Sequence, residues 1–257
     1  MFSIICVYNN KEILNEYLLN SLSQQDSNYD LILINNEKNR FYSATSALNY
    51  GAKKAKGDYL LFVHQDVKFI GTNWLSKTEL EIKKLDKIGA VGVLGKKDIH
   101  LYTNILMGEP PRRVSDYTLK TPLEIKTLDE CLIIIPKKVF NKHKFDEKTC
   151  DDWHLYGTDY VLSIKKEGYK SYVIPTNLIH RSIGDSLSET YYQLLPKLQK
   201  KHFPEKIIYT SCGDWYTFIP IFLQRILKII IYLILMYVLQ NFNKENGWNY
   251  IKSLNPF

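Results

Sequence analysis

A histidine and an aspartate two residues apart, His64 and Asp66, follow directly on the apolar run Tyr59-Leu60-Leu61-Phe62-Val63. Residues two apart on an extended chain point to the same side, so an imidazole and a carboxylate placed this way could share one divalent ion. The plainer reading is a strand that ends in solvated polar residues. Which reading holds depends on the elements that bring the pair to its place.

Those elements alternate. Phe2 to Val7 reads as a strand, Lys11 to Leu22 as an amphipathic helix, Leu31 to Ile34 as a strand, Ala44 to Lys56 as a helix and Tyr59 to Val63 as a strand. Gly57 is the residue expected to stop the second helix. The β-α-β-α-β order predicts a parallel sheet with right-handed crossovers. Ligands of such sheets bind outside the carboxyl ends of the strands. His64 and Asp66 stand at that edge, together with the loops Tyr8-Asn9-Asn10 and Asn35-Asn36-Glu37-Lys38-Asn39. Further on, a helix is expected from Trp74 to about Lys87, a strand at Ala90 to Leu94 and a long polar segment to about Lys126. A strand at Leu128 to Ile135, a helix at Asp159 to Lys166, a strand at Ser171 to Ile174 and a loop bearing His180 complete this part.

With 257 residues, of which 45% are hydrophobic, the chain can bury a large core. Phe2 to Val7 follows Met1 without a basic leader or cleavage site, so a secretory signal is not expected. The cysteines Cys6, Cys131, Cys150 and Cys212 form no CxxC pair and read as reduced thiols of a cytosolic protein. A net charge of +7 and a pI near 9.0 suit a polyanionic partner: nucleic acid, anionic lipid or a phosphorylated substrate. The lysines are scattered and no nucleic-acid module is present, so nucleic acid is not expected.

The character changes near Phe218. Phe218 to Leu239 is strongly apolar, and its uninterrupted part, Ile229 to Leu239, is too short to cross a bilayer. Gln224, Lys228 and Tyr232, spaced four apart, form a polar stripe on an otherwise apolar helix. The pattern predicts an in-plane membrane helix whose basic residues face lipid headgroups, or else a buried or dimer-interface helix. Two regions are therefore expected, residues 1–210 and residues 211–257.

Several short motifs stand in a specific order: Tyr8-Asn9, Ala47-Leu48-Asn49-Tyr50-Gly51, Gly57-Asp58-Tyr59, His64-Gln65-Asp66, Phe145-Asp146-Glu147, Tyr156-Gly157-Thr158-Asp159, Gly168-Tyr169 and Pro175. Over about residues 2–181 the chain resembles the inverting family 2 glycosyltransferases of the GT-A fold, in a branch that writes the metal motif His-Gln-Asp. The resemblance implies an α/β, GT-A-like fold, with a mostly parallel central sheet flanked by helices and a C-terminal apolar and basic helical extension. It also implies transfer of a sugar from a nucleotide donor, with Mn²⁺ or Mg²⁺ holding the diphosphate. Asp66, His64 and His180 are the implied metal ligands, with His64 standing where the common pattern has an aspartate. Tyr8, Asn9, Asn36, Glu37, Asn49, His64 and Gln65 are candidate donor contacts; Arg112 and Arg113 suit the diphosphate or else a solvated loop, and Trp153 and Tyr156 suit sugar stacking at the acceptor site or else the core.

An inverting transfer needs a carboxylate to take the acceptor proton. The family's usual Glu-Asp pair falls on Thr158 and Asp159, which makes Asp159 the leading base, with Asp152, Asp151 or His154 as substitutes. Asp159 also has a structural reading, since a carboxylate in the first turn favours a helix. The expected partners are a nucleotide sugar, a glycan or lipid-linked acceptor and the cytoplasmic face of a membrane. The rival readings are a nucleotidyltransferase of related fold and a non-catalytic scaffold. The former would want a Gly-rich basic loop after the first strand, which Tyr8-Asn9-Asn10 does not supply.

Overall fold

The computed structural model describes residues 1–184 and 188–242. The first strand, Phe2–Tyr8, lies between two parallel neighbours, Tyr29–Asn35 and Tyr59–Val63. Beyond Tyr59–Val63 come an antiparallel strand, Leu132–Pro136, then Ile88–Gly92, Lys170–Val173 and the short edge strand Leu123–Glu124. Five of these seven strands share one direction; Leu132–Pro136 and Leu123–Glu124 oppose it.

The central strands are apolar throughout because both faces of the sheet are covered. Leu60 and Phe62 join a core with Ile133, Ile135, Tyr160 and Leu198, while Leu61 and Val63, one residue out of phase, join a core with Leu14, Leu18 and Trp74. Helices Ala44–Ala52, Tyr156–Lys165 and Glu189–His202 contribute to the first core; the helical stretch 11–22 and helix Trp74–Lys83 contribute to the second. Asn10 caps the first helical stretch by accepting from Glu12 N and Ile13 N.

Three sequence expectations change here. The helix from Ala44 ends at Ala52, and its C-cap, Lys53, keeps right-handed geometry, so Gly57 is not its stop. Gly57 is instead a point of close approach, since a Cβ there would lie 2.6 Å from Ser3 N and 2.7 Å from Met1 O. The expected strand Leu128 to Ile135 is broken in two. Thr127–Leu128 pairs with Leu94–Lys97 in a small sheet and Leu132–Pro136 enters the large one, with Asp129 and Glu130 at the turn between them. His180 lies in a strand rather than a loop: Leu178–His180 pairs antiparallel with Val67–Phe69 and parallel with Leu106–Met107.

The boundary expected at residue 210 falls inside a hairpin, Ile207–Thr210 against Gly213–Tyr216, whose Trp215 is buried with Tyr191 in the first core. Helix Ile221–Phe242 follows. Its segment Ile221–Val238, with mean hydropathy 2.0, is long and apolar enough to cross a membrane, which corrects the shorter apolar stretch read from sequence. The polar stripe also faces the other way. Gln224 is buried, accepts from Tyr216 N and donates to the carbonyls of Tyr216 and Ile219. Arg225 pairs with both carboxylate oxygens of Glu189 and lies 3.9 Å from the Tyr192 ring centre, and Lys228 lies 3.5 Å from that of Trp215. The polar groups grip the protein, and Phe222, Leu223, Ile226, Ile230 and Ile234 are exposed. Residues 243–257, the rest of the expected C-terminal region, lie outside the described residues.

Candidate active site

The parallel strands end at Tyr8, Asn35 and Val63, so Asn9, Asn36 and His64 emerge at one edge of the sheet. Two cavities open there. One, of about 310 Å³, is lined by Val7, Tyr8, Asn36, Leu48, Val63 and Tyr156 among others. The second, of about 410 Å³, reaches Glu130, His154, Thr158, His180 and Cys212. Asn9, His64, Gln65, Asp66 and Trp153 line both and therefore form the wall they share.

His64, Asp66 and His180 each offer one ligand atom, and these atoms lie within 4.8 Å of one another. The pairing of His180 with Val67 carries the histidine in beside Asp66. Asp66 Oδ1 is 3.4 Å from His180 Nε2, and Asp66 Oδ2 accepts from Ser182 N at 3.3 Å. Burial by itself would raise the Asp66 carboxyl, but the imidazoles of His180 and His64 outweigh it and hold the group down at about 2. Burial and the neighbouring His180 depress His64, while the Asp66 carboxylate outweighs burial at His180 and raises it.

The arrangement fits a divalent ion. Both ring nitrogens of His180 are buried without a hydrogen-bond partner, the contact to Asp66 being too poorly aligned to count as one. Buried polar atoms are normally satisfied, and a cation bound to imidazole would satisfy one of these.

Other expected site residues divide. Tyr8 and Asn9 face the first cavity, and Gln65 fixes the loop beside them: its Oε1 accepts from the backbone of Asn9 and Asn10, and its Nε2 donates to Asn9 Oδ1. Asn36 lines the cavity too, but its amide is spent on Phe41, donating to the carbonyl and accepting from the N–H. Tyr156 lies on the wall of the first cavity and not the second, and its hydroxyl donates to the Glu130 carbonyl at 3.3 Å. Trp153, 39% exposed, stands where the two cavities meet. His154 lines the second cavity and shares a hydrogen bond with Ser188 Oγ at 3.2 Å; burial lowers its pKa.

The structure places the remaining expected residues outside the lining of both cavities. Asn49 is a buried brace, donating to the Phe145 carbonyl and to Glu147. Glu37 is exposed and accepts from Asn35 Nδ2. Arg112 and Arg113 form an exposed strand outside both cavities, with Arg113 donating to Thr118. Asp151 pairs with Lys197, and Asp152 accepts from Thr190 and its own neighbour Trp153. Asp159, the leading base by motif, is 2% exposed and outside the cavity. Its Oδ1 lies 2.7 Å from His202 Nε2 and its Oδ2 accepts from Lys201 at 2.7 Å. One helical step of about 100° separates it from Thr158, which does line the cavity.

Sequence reasoning missed Glu130. It lines the second cavity, and the amides of Gly157 and Thr158 at the start of helix Tyr156–Lys165 point at its carboxylate, Gly157 N at 3.1 Å from Oε1. Burial first, then the charge of Asp129, pushes its pKa up to about 8. Two acids interrupting the apolar stretch from Leu128 to Ile135 were the available signal.

Residues 3–180 match the model of a glycosyltransferase-like family. No curated protein matches the sequence significantly. Among solved structures, the chain is similar to GalNAc-T7 with UDP, GalNAc and Mn²⁺, at 14% identity and TM-score 0.55, covering 77% of this chain and 48% of that one. It is similar to S. aureus TarS 1–349 with UDP-GlcNAc, at 17% identity and TM-score 0.53, covering 78% and 66%. It is also similar to the mannosyltransferase PcManGT from Pyrobaculum calidifontis with GDP-Man and Mn²⁺, at 11% identity and TM-score 0.55, covering 98% and 78%. The chain thus spans about half the length of the first of these and two thirds of the second. The likeness shows a shared fold.

Proposed function

The chain belongs to the glycosyltransferase-like family, and from that premise we propose that it moves a sugar from a nucleotide-sugar donor to a hydroxyl of a glycan or lipid-linked acceptor, with inversion. The observation that carries this reading is the grouping of His64 and Asp66, on the wall that the two cavities share, with His180 on the second. The first cavity takes the nucleoside: Val7, Leu48 and Val63 offer apolar contact to a base, and Tyr8 and Asn9 stand at its rim. The second takes the acceptor. Approach from one cavity and departure toward the other suit a direct displacement at the anomeric carbon.

His64, Asp66 and His180 would hold Mn²⁺ or Mg²⁺, which supplies positive charge to the departing diphosphate. The chain's own residues do the rest. Gln65 holds the loop at Asn9 and Asn10, which keeps the nucleoside cavity in shape. Trp153 presents an aromatic face where sugar must pass from one cavity to the other.

The exposed apolar face of helix Ile221–Phe242 supports contact with a membrane, at its cytoplasmic side, where a lipid-linked acceptor of surface polysaccharide synthesis would be met. Its mode differs from an in-plane helix with basic residues toward headgroups, because Arg225 and Lys228 hold the catalytic domain and leave the apolar side to lipid. The test is incubation of the full chain with UDP- and GDP-sugars in Mn²⁺, Mg²⁺ or EDTA, reading nucleoside diphosphate release and thermal shift. Metal-dependent release from one donor supports the proposal; neither binding nor release across the panel rejects it.

A further inference from the structure

Resting on the transfer reading above, we propose that Glu130 is the general base that takes the acceptor proton, in place of any residue of helix Tyr156–Lys165.

Among the described residues, the carboxylates on the acceptor cavity are Asp66, Asp129 and Glu130. Asp66 belongs to the metal cluster. Asp129 has both oxygens engaged, Oδ1 by Cys131 N and Oδ2 by Ser211 Oγ. Asp151, Asp152 and Asp159 are committed elsewhere, as described. Glu130 is left. The fold explains its place: Leu132–Pro136 runs antiparallel to Tyr59–Val63, so it begins where that strand ends, and Cys131 O accepts from His64 N at 3.0 Å. The residues just before this strand therefore arrive at the same edge as the metal cluster.

Helix Tyr156–Lys165 reinforces the position. Its N-cap, Leu155, is left-handed and supplies no side-chain cap, and Gly157 leaves the room that Glu130 enters, since a Cβ on Gly157 would lie 3.2 Å from Glu130 Oε1. Titratable groups around Glu130 include Asp129 and Cys131 on its own segment, with Tyr156, Cys150, Tyr191 and Cys212, and the imidazoles of His64, His154 and His180 line the same cavity. A raised pKa near the operating pH is what a base of this kind needs.

In the step, the acceptor O–H proton passes to the Glu130 carboxylate as the acceptor oxygen's electron pair forms the new bond to the anomeric carbon. The anomeric carbon–phosphate oxygen bond breaks, and its electron pair leaves on the nucleoside diphosphate. Glu130, now a carboxylic acid, returns the proton to solvent.

The test compares wild type, Glu130→Gln and Glu130→Ala as full chains, with UDP-GlcNAc and GDP-mannose as donors and octyl glycosides or water as acceptors. Glutamine keeps an oxygen for Gly157 N, so the helix start is preserved. Expected are a fall in kcat of about 100-fold or more, UDP or GDP affinity in Mn²⁺ within threefold of wild type, loss of the rise in kcat/KM toward about pH 8, and partial rescue of Glu130→Ala by formate. A helix-capping role alone would lower Tm and leave the pH profile in place. Glu130→Gln with kcat within threefold of wild type, or no formate rescue of a folded Glu130→Ala, overturns the assignment while wild-type turnover keeps the transfer reading. A wild-type chain that binds and turns over no donor removes both.

Discussion

Asp66 Oδ1 and His180 Nε2 lie 3.4 Å apart, joined through the pairing of Val67–Phe69 with Leu178–His180. This short antiparallel contact brings together residues 114 positions apart, 180 less 66, and it turns a strand end into a His-Asp-His group that could hold a metal ion.

Removing either member should therefore remove the cation. Asp66→Asn and His180→Ala are expected to abolish the rise in Tm that Mn²⁺ gives wild type, and to lower donor turnover by about 100-fold or more. Differential scanning fluorimetry with and without Mn²⁺ checks the first, diphosphate release the second. An unchanged Mn²⁺ shift in Asp66→Asn would refute the ligand assignment.

Asp159 should behave as a structural residue. Replacing it with Asn breaks a buried contact to His202 and Lys201, and a loss of about 3 kcal/mol in unfolding free energy is expected. Donor turnover of the remaining folded protein, measured well below Tm, should stay within a few-fold of wild type. A large loss of turnover without a fall in stability would return Asp159 to the chemistry.

The pH dependence of stability follows from Glu130. Its pKa in the folded protein, about 8, lies above its ordinary 4.5, so the folded state holds this proton more tightly. The contribution is full below pH 4.5 and is lost as pH rises through 8, because over this range the unfolded chain releases the proton that the folded protein retains. Glu130→Gln escapes this loss. Its Tm relative to wild type is expected to rise between pH 6 and pH 9 in paired thermal melts, and a pH-independent difference would contradict the raised pKa.

Membrane binding should depend on the exposed side of the last helix. Ile230→Asp with Ile234→Asp places two charges on that side, where the residues are 46% and 56% exposed. Co-sedimentation with anionic liposomes is expected to fall several-fold while Tm stays constant. Arg225→Ala should act differently, loosening the helix from Glu189 and Tyr192 and lowering Tm. Undiminished co-sedimentation of the double variant would reject the membrane surface.

The close approach at Gly57 gives a test of the fold itself. Gly57→Ala would drive a Cβ to within 2.6 Å of the Ser3 backbone, and since backbone cannot swing aside as a side chain can, a destabilisation of about 1–3 kcal/mol is expected by urea denaturation. No measurable change would mean that the first strand lies farther away.

The sequence by itself determined the alternating β-α-β-α-β order, the buried strand Tyr59–Val63 and the polar pair His64 and Asp66 at its end, because these depend on local apolar patterning and on chain direction. It also showed the apolar helix after Phe218, though not which side of that helix would meet the protein. Tertiary structure alone decided the rest. The antiparallel entry of Leu132–Pro136 set Cys131 against His64 and brought Glu130 to the same cavity, a choice that no periodicity of its own residues encodes. A rotation of one helical residue put Thr158 in the cavity and Asp159 against His202. His64 and Asp66 at the strand end were a strand's property; the cluster they form with His180 belongs to the fold, since its third member comes from a strand distant in sequence.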